Sequence, residues 1–167
     1  MKSRFWPVII SVFIIAALFG CSPGIDKKKF EGAAKAAEAV QKAIDNQDDY
    51  LKCGELFGVF STEVIALRDR VANEKEQQLL KAYEDLLITY QDGFQLWDYK
   101  VESSRYSWIP ADRIYLDPKI MPLAIKYNLS VQSHVVQITN YEFKSVPADA
   151  LKIMWERARE QYDKIKP

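Results

Sequence analysis

NEKEQQLLKAYEDLLITYQDGFQLWDYKV, residues 73–101, carries the most regular hydrophobic series in the chain. Leu80, Tyr83, Leu87, Tyr90, Phe94, Trp97 and Val101 follow one another at alternating steps of three and four, which lines one side of an α-helix and no single face of a strand. Asn73 followed by Glu76 has the form of a capping box, which satisfies unpaired backbone N–H groups at a helix start. The spacing predicts a helix of about 28 residues, hence about 42 Å. Glu74, Lys75, Glu76, Lys81, Glu84, Asp85 and Asp92 mostly fall off the seam and read as a solvated face. The aromatic stripe reads as core; the alternative is the lining of a site for a small apolar ligand between helices.

Toward the N-terminus the same repeat recurs twice. Tyr50, Cys53, Phe57, Phe60, Val64, Leu67 and Val71 form one series, which places the Cys53 thiol on the core seam. Gly54 and Gly58 lie within it and either permit close helix contact or mark a break. Phe30, Ala33, Ala37, Val40 and Ile44 form the other, with Gln47 polar and Leu51 closing it. The polar run Asp45-Asn46-Gln47-Asp48-Asp49 is read as the turn between the two helices, with Asp48 or Asp49 capping the second.

Toward the C-terminus the regularity lapses. Residues 103–116 alternate Ser103, Ser104 and Ser107 with Tyr106, Trp108 and Tyr115 around Pro110. Two readings stand: a connection pinned by its aromatics over the open end of a bundle, or a recognition surface built on Tyr106, Trp108 and Tyr115. Asp117-Pro118 suits the cap and first turn of a short helix ending near Asn128. Residues 129–143 fit alternation and helical clustering equally, which leaves a hairpin open. Pro147 is read as opening a last helix with Leu151, Trp155, Ala158, Tyr162 and Ile165 on one face. The expected fold is therefore all-α: an antiparallel bundle of about four amphipathic helices, with an irregular aromatic-containing excursion before the last.

The first residues have a different character. Lys2 and Arg4 precede an apolar stretch, Val8 to Phe19, interrupted by Ser11 and too short to span a bilayer. It ends in Leu18-Phe19-Gly20-Cys21, which resembles the lipobox of bacterial lipoproteins. The resemblance covers only this leader; Phe19 is bulkier than most occupants of its position. It implies cleavage between Gly20 and Cys21, a diacylglycerol on the Cys21 thiol and often acylation of the new amino terminus. On that resemblance the chain divides into a signal peptide at 1–20, a lipidated tether at 21–29 and a helical domain at 30–167. Ser22, where aspartate would favour inner-membrane retention, implies the periplasmic face of an outer membrane in a Gram-negative cell. Two or more acyl chains hold a protein to a bilayer stably, whereas one is marginal. Lys27, Lys28 and Lys29 in the tether are read as a solvated linker, or as contacts to anionic headgroups.

Composition limits what the remainder does. Removing residues 1–20 of 167 takes Lys2 and Arg4 and leaves a net charge of −2, so no basic surplus points to nucleic acid. The chain has one histidine, His134, and its two cysteines are Cys21 and Cys53, too few for a zinc, haem or di-iron constellation. His134 has serines nearby, Ser133 among them, but nothing resembles a nucleophile elbow, and there is no phosphate loop or dinucleotide fingerprint. No catalytic residue, metal or cofactor is assigned, and an enzyme is not expected. The expectation is an envelope interaction or structural module held at the membrane through Cys21, with another envelope protein as its partner.

Overall fold

Residues 24–166 are described by a computed structural model, so the leader and the lipobox, including Gly20 and Cys21, lie outside the described residues. Among the described residues five helices and three strands follow one another: α1 (Lys27–Asp45), α2 (Tyr50–Leu67), α3 (Glu74–Ser103), β1 (Arg113–Leu116), α4 (Met121–Lys126), β2 (Gln132–Val136), β3 (Tyr141–Pro147) and α5 (Ala150–Ile165). The chain is mostly helical, but it is not all-α. A three-stranded antiparallel sheet of order β1-β3-β2 occupies the segment that the sequence left irregular or ambiguous.

The three N-terminal helices follow their hydrophobic series. The α1 helix begins at Lys27, earlier than its periodicity predicts, because the Asp26 side chain caps it by accepting the Lys28 N–H. Asp49 caps α2 in the same way through the Lys52 N–H at 2.9 Å. Gln47, in the intervening turn, takes a left-handed backbone with φ 58°. Leu51 does not close the first series: it lies in α2 and points to solvent. Cys53 is fully buried, and burial pushes its thiol pKa up. The α2 helix runs through Gly54 and Gly58 unbroken, and a Cβ at either would meet no neighbour, so neither glycine marks a break or a close contact.

The long helix α3 is buried along more than its predicted seam. Leu80, Tyr83, Leu86, Tyr90 and Phe94 enter a core shared with Phe30, Val40, Phe60 and Val64 of α1 and α2 and with Ala158 of α5. Leu96, toward its C-terminal end, enters a second core with Ile114, Ile120, Val146, Leu151 and Met154. Trp97 and Trp155 touch both cores. The last helix starts at Ala150; Pro147 instead ends β3, where it pairs with Arg113. Although β3 is the central strand, Pro147 lies beyond Ser145, the last residue of β3 that pairs with β2, so no ladder hydrogen bond is needed from its missing N–H.

Glu76 is not solvated. It is buried at the start of α3, where its carboxylate accepts the Ala72 N–H at 2.8 Å, the Asp26 N–H at 3.1 Å and the Lys29 ammonium at 2.9 Å. Asn73 accepts the Glu76 N–H at 3.0 Å, so half of the capping box forms; the other half is diverted to Ala72 and to α1. The backbone donor at Ala72 and then Lys29 hold the Glu76 carboxyl at about 2, against an ordinary value of 4.5. A carboxyl depressed on folding stabilises the native state above its unfolded pKa and ceases to do so as pH falls through the folded one. Acid unfolding, followed by circular dichroism, should therefore show a loss of stability between pH 4.5 and about 2 that Glu76→Gln removes, with the variant weaker than the wild type at neutral pH.

Candidate functional site

The sheet turns one face to the helices and the other to the loop that precedes it. Ile114, Leu116 and Val146 face the second core. On the opposite face the register aligns Tyr115 with Ser145 and Ser145 with Gln132, and sets His134 across from Phe143. Strand alternation adds Arg113 and Tyr141 to this face.

Residues 104–112 fold over it. The loop is tied at its start by Ser103, whose buried hydroxyl accepts the Tyr115 N–H at 2.9 Å, and at its end by the Asp112 carbonyl, which accepts the Ala148 N–H at 2.7 Å. Ile109 is buried, and Trp108 packs edge-on against Phe143 at 4.9 Å, Tyr115 at 5.8 Å and Tyr141 at 5.8 Å. Tyr106 lies 5.6 Å from Trp108. The three aromatics singled out in the sequence thus come together, although they belong to a loop and a strand. The loop is pinned by its aromatics, but over the sheet and not over an open bundle end.

The cluster also contains Tyr141 and Phe143, which the sequence did not single out, and His134. Tyr141 joins its hydroxyl to that of Tyr115 at 3.2 Å, and this hydrogen bond, with burial, pushes Tyr115 up to about 12, so the Tyr115 phenol stays neutral at physiological pH. His134 stacks on Phe143 at 4.9 Å. Tyr106, Trp108 and Tyr141 remain 42%, 38% and 48% exposed, and Ile138 at the hairpin tip is 96% exposed. Concavities of about 620 Å³ beside Tyr115, Met121 and Tyr141, and of about 370 Å³ between Trp108, Val136 and Tyr141, flank the rings.

Beneath the rings runs a polar chain. Arg113 Nε donates to the Ser145 hydroxyl at 3.0 Å and Arg113 Nη2 to Gln132 at 2.7 Å, while Ser145 Oγ lies 2.8 Å from His134 Nε2. Ser145 accepts from Arg113, and its contact with His134 takes its direction from the imidazole tautomer. His134 pairs with Ser145 and not with its neighbour Ser133. The contact has the length of a nucleophile–base pair, but Ser145 is fully buried and held by arginine, so its oxygen presents no path to a substrate. The chain ties three strands together.

The seam of α3 is closed differently. Tyr90 is fully buried and donates to Gln41 at 2.9 Å; Gln41 donates to Asp45, which pairs with Arg159 of α5. Tyr83 stacks on Phe30 at 6.0 Å and meets Phe60 at 6.3 Å. Openings along this seam are surface grooves: one of about 620 Å³ borders Tyr83 and one of about 350 Å³ borders Trp97. Among the described residues, no group of three or more His, Cys, Asp or Glu is placed to hold a metal ion, and no helix is long and apolar enough to cross a membrane. No protein-family model, curated protein or solved structure matches the chain.

Proposed function

We propose that this chain is an envelope lipoprotein, cut between Gly20 and Cys21 and acylated on Cys21, whose folded part is a helical bundle presenting the aromatic face of its sheet to another envelope protein. The observation that carries the reading is the position of that face relative to the tether. Asp26 and Lys29 are bound at the first turn of α3 through Glu76, and Tyr115 is bound at its last residue through Ser103. The rise between Glu76 and Ser103 is roughly 40 Å at 1.5 Å per residue. A protein anchored at Cys21 would hold its membrane contact at one end of α3 and its exposed aromatics near the other. Rings displayed there would meet a partner and not the bilayer to which the chain is bound. By the lipobox resemblance and Ser22, the membrane is the outer one in a Gram-negative cell.

The test is photocrosslinking in the native membrane from a photoreactive residue at Ile138, read before and after Tyr106→Ser with Tyr141→Ser. Both tyrosines are substantially exposed, so the fold should survive. A discrete crosslinked protein that disappears in the double variant supports the reading; a crosslinking pattern unchanged by the substitutions in folded protein would remove this surface as the docking site.

A further inference from the structure

At the opposite end of the molecule, the start of α1, the end of α5 and the side of α3 enclose the groove of about 620 Å³. Its floor is apolar: Phe30, Ala34, Leu79, Tyr83, Tyr162 and Ile165. Its rim is mainly basic: Lys27, Lys28 and Lys35 of α1, Lys164 of α5 and Lys166 just after it, with Glu31 and Glu38 between them. Several rim charges are already matched. Glu31 pairs with Lys35 at 2.6 Å, Glu38 with Lys42 at 2.5 Å and Asp163 with Lys166 at 2.8 Å. Among the described residues, Lys27, Lys28 and Lys164 make no side-chain ion pair, and all three are exposed. Lys29, their neighbour in sequence, is turned inward to Glu76, which fixes α1 so that Lys27 and Lys28 remain at the groove mouth.

We infer that this groove is a docking surface for an anionic phospholipid bilayer, with Lys27, Lys28 and Lys164 on the phosphate headgroups and the half-buried Leu79, Tyr162 and Ile165 of its floor against the upper acyl chains. Charge complementarity supplies one argument, since three unmatched cations surround an apolar floor, the pattern that binds interfacially to anionic lipid. Distance supplies the other, and rests on the proposed acylation of Cys21: the three residues from Cys21 to Gly24 reach at most about 11 Å, so the anchor and the groove would share one membrane surface. Docking here would orient the chain as well as tether it, with the aromatic face of the sheet turned away from the lipid.

Amide hydrogen exchange on the full chain, its acylation state read by intact mass, tests this. The protein is presented in vesicles of phosphatidylcholine alone and in vesicles of equal parts phosphatidylcholine and phosphatidylglycerol. Exchange in residues 27–35 and 160–166 should slow roughly tenfold on the anionic vesicles relative to the neutral ones. Lys27→Glu with Lys28→Glu and Lys164→Glu should return it to the neutral-vesicle rate with an unchanged circular dichroism spectrum. Equal protection on both vesicles, protection that survives the triple variant, or protection without lipid that grows with protein concentration would each overturn the proposal. An acylated chain with no anionic-lipid protection refutes the groove and leaves the anchor. An unacylated chain protected by added anionic vesicles refutes the anchor and supports the groove.

Discussion

Phe60→Ala should cost about 3–5 kcal/mol of unfolding free energy, measured by urea denaturation followed by circular dichroism. Phe60 is fully buried and meets Tyr90 edge-on at 5.9 Å and Tyr83 at 6.3 Å, where α2 crosses α3. Removing the ring takes its apolar area out of the core and leaves a void that the two tyrosines do not fill, because Tyr90 is held by its hydrogen bond to Gln41. A domain stable by roughly 5–15 kcal/mol would lose a large part of its margin. The measurement also bears on function. A loss near 4 kcal/mol would identify the rings as packing; a loss below about 1 kcal/mol would mean a site already loose enough to hold a small apolar ligand between the helices.

The second large effect is at Gly93. A methyl group there would fall inside the six-membered ring system of Trp155, so that α3 and α5 approach closely only because this position has no side chain. Gly93→Ala should destabilise by about 1–3 kcal/mol through overpacking, even though alanine favours the helix by roughly 1 kcal/mol. Replacing Trp155 with leucine in the same chain should recover part of the loss, because the atoms that collide are gone. Thermal unfolding of the single and double variants gives the coupling between the two sites. Gly54→Ala and Gly58→Ala provide the contrast. Their added methyl groups meet open space, so each should stabilise the protein by about 1 kcal/mol. If Gly93→Ala behaved like these two, the close approach of α5 to α3 would be wrong.

The long helices were legible because their burial obeys the 3.6-residue repeat: Phe60, Val64 and Leu67, or Leu80, Tyr83 and Tyr90, can be placed on a seam from spacing alone. The strands were not, for a physical reason. In β2, Gln132, Ser133 and Val135 are all exposed, so no clean alternation marks it, and β1 is only four residues long. In β3, the fully buried Ser145 reads as a surface residue, because its partners Arg113 and His134 are brought to it by pairing. Tyr106, Trp108 and Tyr115 were visible as an unusual concentration of aromatics, whereas Tyr141 and Phe143 join them only through strand register. Glu76 looked like a capping residue with a solvated side chain. Its bonds to Asp26 and Lys29 span 50 and 47 residues, and no local pattern announces them. The groove at the start of α1 was legible in part, as a run of lysines, but Lys164 and the apolar floor arrive from the far end of the chain.

The proposed function depends on a chain fixed to a membrane at Cys21. The intact mass of the protein, extracted gently from the membranes of its own cells, addresses that directly. The account predicts a chain beginning at Cys21, lacking residues 1–20, and heavier than residues 21–167 by a diacylglycerol with or without a further acyl group. A chain that retains residues 1–20, or one that begins at Cys21 or elsewhere without lipid, would contradict it.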